Sequence, residues 1–164
     1  MANASKKQTI DLLTPRAKLK EAKFHDLLGY QLAQASIMTD LCFKQSVAAH
    51  LQFTKIELTL LHLINENSLV TPSLLAKALR VSLPAITMWM AKLEKRQLVI
   101  RQRSTTDLRS QYFTLTEAAK QQVELALNKV CDAEDQMLTS LSTAEKAILL
   151  ELLRKVARSA MPKK

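Results

Sequence analysis

The sequence predicts a mainly helical fold carrying one small β-hairpin, and three observations support that reading. Apolar residues recur at helical spacing over most of the chain. The period shortens to two only around Leu98–Arg103 and Gln111–Leu115, on either side of a polar turn. One glycine, Gly29, and four prolines are too few for a β-rich chain, which needs turn residues throughout. At 164 residues the chain is long enough for one compact domain with helical extensions.

Residues 1–18 are polar and basic except for Ile10-Asp11-Leu12-Leu13. Two readings stand side by side: a frayed terminus, or an arm whose Leu12 and Leu13 pack on a partner subunit. Residues 19–53 form the next segment, with a long helix expected from Lys18 to about His50. Phe24, Leu27, Leu28, Leu32, Ala35, Met38 and Phe43 track a 3.6-residue period. So long an apolar helix beside a small domain calls for a second subunit to cover it.

The segment 54–116 opens on Thr54-Lys55-Ile56-Glu57, a capping box in which Glu57 reaches back to the Thr54 N–H. Leu58, Leu61, Leu63 and Ile64 make the inner face of that helix. Thr71 is an N-cap followed by Pro72, and Ser82 is another, with Pro84 in its first turn. Two helices joined by so short a turn have helix-turn-helix spacing. Ile86, Trp89, Met90 and Leu93 fall at i, i+3, i+4 and i+7, an apolar stripe for the core. Ser82, Leu83, Pro84, Thr87, Met88, Ala91 and Lys92 are left to face outward. The strand that follows is expected to place Leu98 and Ile100 on one face and Arg101 and Arg103 on a polar one. With the turn Ser104–Ser110 and the strand Gln111–Leu115 it makes a basic-tipped hairpin, completing a winged helix.

The charge agrees. Lys77, Arg80, Lys92, Lys95, Arg96, Arg101, Arg103 and Arg109 stand against only Glu94 and Asp107 between Thr71 and Ser110, a net +6 of the chain's +9. A solvated face explains scattered lysines; concentration on one helix and its wing points to phosphate neutralisation. Few aromatics argue against stacking of single-stranded bases.

In the last segment, 117–160, Thr116 caps a long helix bearing Val123, Leu127, Val130, Met137, Leu138 and Leu141. Ser142-Thr143-Ala144-Glu145 is a second capping box. Its helix carries Ile148, Leu149, Leu152, Leu153 and Val156, too wide a stripe for a terminal helix to bury alone. The first, fifth and sixth helices are therefore expected to form a dimerisation layer, with Leu12, Leu13, Leu149, Leu152, Leu153 and Val156 at the contact.

Residues 54–120 resemble the MarR (multiple-antibiotic-resistance regulator) family. The likeness lies in Leu75-Ala76, Val81-Ser82, Leu93-Glu94-Lys95-Arg96, Leu98-Val99, Asp107-Leu108-Arg109-Ser110 and Leu115-Thr116-Glu117-Ala118. Gln97 and Ala119 stand where the family often has glycine, and Leu83 and Met88 where it is often polar or basic. The resemblance implies a homodimeric repressor on a pseudo-palindromic operator of double-stranded DNA. Ser82, Leu83, Pro84, Thr87, Met88 and Lys92 would then lie in the major groove, and Arg101, Arg103, Asp107, Arg109 and Ser110 on the wing. It also implies release by a small aromatic acid, for which the sequence identifies no pocket.

Other functions find little support. No carboxylate pair, nucleophile–base arrangement or Gly-rich phosphate loop suggests an enzyme, and no cofactor is implied. His25, His50 and His62 lack a second ligand at metal spacing. Cys42 lies in Leu41-Cys42-Phe43, a tripeptide that also surrounds the sensing cysteine of one branch of the family. Its position only twelve residues before Thr54 is wrong for that sensor. Cys42 and Cys131 are read as buried structural cysteines, which leaves a thiol-based regulator as an alternative. A winged helix used for protein contact is the other, and it would account for Leu83 and Met88. No apolar run approaches a membrane span and the first residues lack a signal peptide's apolar core, so a cytoplasmic location is expected.

Overall fold

The computed structural model describes residues 13–103 and 111–159. The chain divides into two compact units, residues 1–41 and 42–164.

In the first unit, Leu13 and Lys20 form an antiparallel bridge, closed by the Thr14 N–H on the Leu19 carbonyl at 2.8 Å. The helix expected from Lys18 does not begin there. Lys18 and Ala22 take the left-handed conformation, φ 54° and 48°, which an α-helix cannot include. A 3₁₀ turn, Ala22–Asp26, follows, and α1 starts at Leu28. The turn is held by Glu21, whose buried carboxylate accepts from Tyr30 Oη at 3.2 Å and contacts His25 Nδ1 at 3.3 Å. α1 spans Leu28–Phe43 and continues through a π-helical turn, Lys44–Ala48, and a last turn, Ala49–Leu51. Its apolar residues are not confined to one stripe: Leu28 and Ile37, both exposed, are nine residues apart and so on opposite sides.

The second unit is built on α2 (Lys55–Asn65), α3 (Pro72–Leu79), α4 (Leu83–Lys95), β1 (Val99–Arg103), β2 (Gln111–Leu115), α5 (Glu117–Met137) and α6 (Thr143–Arg158). Both capping boxes form, with the Thr54 N–H 2.9 Å from Glu57 and the Ser142 N–H 2.8 Å from Glu145. Thr71, Ser82 and Thr116 each accept a backbone N–H three residues on, which starts α3, α4 and α5 where the sequence expects them. The core draws Phe53, Leu60 and Leu61, Leu75, Ile86, Met90 and Leu93, Phe113, Val123 and Ala126 into one cluster. Such contiguous burial is the main stabilising term, at about 1.5–3 kcal/mol for each large side chain removed from water.

The hairpin is antiparallel, with Val99 opposite Leu115, Ile100 opposite Thr114 and Arg101 opposite Phe113. That register corrects the expected strand faces. Val99 is buried and Ile100 is 47% exposed, because the face shared by Val99 and Arg101 is the one opposite buried Phe113 and Leu115. Leu98 is buried too, but it precedes the strand. Val70 adds a bridge to Phe113, tying the entry of α3 to the sheet.

α6 differs from the other helices of this unit: it buries none of its residues in the single chain. Ile148, Leu149, Leu150, Leu152 and Val156 are exposed and Leu153 is half-buried. Cys42 is half-buried, whereas Cys131 is exposed, one position past the inward stripe of α5 that runs through Val123, Ala126 and Val130. The expectation of a buried Cys131 is thereby corrected.

Candidate nucleic-acid interface

Chain direction turns by 119° between α3 and α4. The turn is made by Arg80, left-handed at φ 53°, which closes α3 as its own N–H and that of Val81 both reach the Ala76 carbonyl. Ser82 then caps α4. Leu75, Ile86 and Met90, all buried, hold the two helices together.

α4 has two complementary faces. Ile86, Met90 and Leu93 are buried and Trp89 is packed half-buried beside them, as its place in the apolar stripe implies. Ser82, Leu83, Pro84, Thr87, Met88 and Lys92 are all exposed. Leu83 and Met88 are 46% and 49% exposed, a large apolar area on a helix flanked by cations. The Thr87 hydroxyl turns back to donate to the Leu83 carbonyl at 3.0 Å.

The cations separate into two sets. Lys77, Arg80, Lys92, Lys95 and Arg103 are exposed, with no described acidic residue in ion-pair distance. Lys77, Arg80 and Lys95, already part of the basic concentration in the sequence, extend the rim beyond the six recognition-helix residues. Arg96 and Arg101 instead have acidic partners within the chain. Arg96 lies 3.3 Å from the Glu57 carboxylate, donates to the Gln52 carbonyl at 3.1 Å and covers the Phe53 ring. It joins the end of α4 to the start of α2. Arg101 donates to both carboxylate oxygens of Glu94 and to Gln111, with its guanidinium 5.3 Å over the Phe113 ring. Asp107, Arg109 and Ser110 lie outside the described residues.

One feature escaped sequence reasoning because its parts are far apart in the chain. Phe43, Lys55, Leu58, Thr59, His62, Leu63, Leu127 and Val130 line an open, mostly apolar cavity of about 270 Å³. Lys55 sits 5.9 Å over the Phe43 ring. His62 Nδ1 is buried without a hydrogen-bond partner, 3.9 Å from Glu66. Cys42 is a neighbour rather than a lining residue. Burial pushes its thiol up, Glu134 adds to the rise and Lys55 opposes it.

A short two-stranded wing, a helix pair crossing at this angle and an outward second helix make up a winged helix-turn-helix. Residues 53–111 match the model of the MarR family. Those residues form a MarR-family domain. It is similar to the transcriptional repressor CouR bound to a 23-mer DNA duplex, at 28% identity over 87% of this chain and 100% of that one, with a TM-score of 0.79. A cysteine-to-serine mutant of E. coli MarR complexed with operator DNA matches at 26% identity over 79% and 92% of the two chains, TM-score 0.71. Bordetella bronchiseptica BpsR, whose DNA binding is regulated by 6-hydroxynicotinic acid, shares the fold at 20% identity, over 84% and 97%, TM-score 0.75. These matches extend the MarR likeness beyond residues 53–111 to the helices on either side. Among the described residues, no single helix is long and apolar enough to cross a membrane.

Proposed function

We propose that this chain is a homodimeric, sequence-specific transcriptional repressor that binds a pseudo-palindromic operator and is released by a small anionic effector. One observation carries the reading: the fully outward face of α4, rimmed by Lys77, Arg80, Lys92 and Lys95, on a MarR-family helix-turn-helix. A helix so exposed fits the major groove, while the rim supplies cations for phosphates on both sides. Arg103, with Arg109 and Ser110 a few residues on in the sequence, is assigned to the adjacent backbone and minor groove. A regulator of this kind works in the cytoplasm beside its operator.

The dimer reading is supported by α6, whose Leu149, Leu152 and Val156 are uncovered in the single chain, and by exposed Leu28, Leu32 and Ile37 on α1. We assign the effector to the cavity between Phe43, α2 and α5. Its apolar walls suit an aromatic or aliphatic body, and Lys55 with His62 suits a carboxylate at one end.

The test is titration of a fluorescent duplex at several salt concentrations. A log–log slope of about −0.9 per phosphate neutralised is expected, with half-sites about one helical turn apart on the selected sequence. A flat salt response would favour the protein-contact reading, which Leu83 and Met88 alone support.

A further inference from the structure

We infer that the recognition helix α4 selects thymine through its C5-methyl group rather than by donating hydrogen bonds to base edges. The inference rests on the DNA-binding reading above and specifies what the interface recognises.

Pro84, Thr87, Met88 and Ala91 fall at i, i+3, i+4 and i+7, and all four are exposed. They form the face opposite the buried Ile86, Met90 and Leu93. Three of the four offer only carbon, or a thioether, to the groove. The fourth, Thr87, has its hydroxyl hydrogen on the Leu83 carbonyl at 3.0 Å, so it presents its methyl and an oxygen that can only accept. Leu83 widens the apolar surface at the first turn.

The donors are displaced to the ends. Ser82 sits at the N-cap, with its oxygen 3.4 Å from the Ala85 N–H, and Lys92 and Lys95 occupy the last turn. No Arg, Asn or Gln stands on the strip, so the bidentate contacts that read guanine and adenine are missing from its centre. In the major groove only thymine presents an apolar group on its base edge. Carbon against that methyl removes apolar surface from water on both sides; carbon against a guanine edge leaves two acceptors unpaired. The acceptor left on Thr87 suits the amino group of adenine, thymine's partner.

The experiment uses the full-length chain and a duplex enriched from a randomised double-stranded library, which is then resynthesised with single dT→dU replacements. Each replacement deletes one methyl and changes nothing else. One or more positions in each half-site are expected to lose about fourfold in affinity, the equivalent of ~0.8 kcal/mol for one buried carbon. Met88→Ala, at an exposed site, should bind the dT and dU duplexes alike, whereas Lys92→Ala should weaken both by the same factor. Equal binding of every dU duplex by the unmodified protein overturns the inference while leaving DNA binding intact. A gain on 5-methyl-dC without a loss on dU overturns the assignment to thymine in favour of methylated cytosine. Failure to enrich any duplex, with no binding at low salt, overturns the DNA reading and this inference with it.

Discussion

The guanidinium of Arg101 is clasped by the carboxylate of Glu94, Nη2 to Oε2 at 2.9 Å and Nε to Oε1 at 3.3 Å. One residue belongs to the wing strand and the other to the last turns of the recognition helix. Both side chains are more than a third exposed, so the pair adds little stability, about 0–1 kcal/mol. Its consequence is angular, because two parallel hydrogen bonds fix the hairpin relative to α4. Glu94→Gln should therefore leave the melting temperature nearly unchanged and weaken operator binding several-fold, although it removes a negative charge facing DNA. Arg101→Lys, which keeps charge but loses the fork, should behave similarly. Tighter specific binding by Glu94→Gln would mean that Arg101 is a phosphate contact held in check.

Arg109 follows Asp107 by two residues in the polar segment that separates β1 from β2 in the sequence. Arg109→Ala should dimerise normally and bind operator more weakly with a shallower salt slope, by about one unit if it meets one phosphate. Asp107→Ala should show a milder loss. Titrations at two salt concentrations, with dimer content checked by light scattering, distinguish a wing contact from a folding defect.

Gln97 has φ 56°, the left-handed conformation that ends α4, with the Leu98 N–H reaching the Leu93 carbonyl at 3.0 Å. A side chain there costs roughly 1–2 kcal/mol, against ~0.5–1 kcal/mol of extra chain entropy for glycine. Gln97→Gly should thus stabilise the fold by about 0.5–1 kcal/mol and raise the melting temperature by a few degrees. A lower melting temperature would show that the glutamine side chain makes a compensating contact.

The uncovered leucines of α6 predict a second consequence of dimerisation. Leu149→Asp with Leu152→Asp should give a monomer by size-exclusion chromatography with light scattering. Each is at least 40% exposed in the single chain, so the substitutions place charge on a surface rather than in its core. Operator affinity should fall steeply, since two half-sites then bind independently. A stable dimer in this variant would place the interface elsewhere.

The two cysteines should react differently. Cys131 is exposed; Cys42 is half-buried, and desolvation holds its thiol protonated beyond the usual range. Alkylation at neutral pH followed by mass spectrometry should label Cys131 first. Because the Cys42 thiol is raised, its labelling should accelerate only as pH climbs above the ordinary thiol value. Fast labelling of Cys42 at pH 7 would revive the thiol-sensing alternative.

The sequence by itself determined where the helices of the winged domain begin and what α4 exposes. Those features are local: Thr54, Thr71, Ser82, Thr116 and Ser142 cap their own helices through hydrogen bonds three residues long, and the stripe Ile86, Trp89, Met90, Leu93 repeats within two turns. The family was legible for the same reason, in short runs of neighbouring residues. What only the tertiary structure decided involves distant partners. Ile100 points outward because strand register is set by Phe113 and Leu115, thirteen and fifteen residues on. Arg96 and Arg101, counted in the sequence among the cations for phosphate, are paired with Glu57 and Glu94. The cavity beside His62 exists because Phe43, α2 and α5 converge, and no local period encodes that convergence. Likewise α1 begins at Leu28 rather than Lys18, since Glu21 gathers His25 and Tyr30 around a turn that helical periodicity alone would have run straight through.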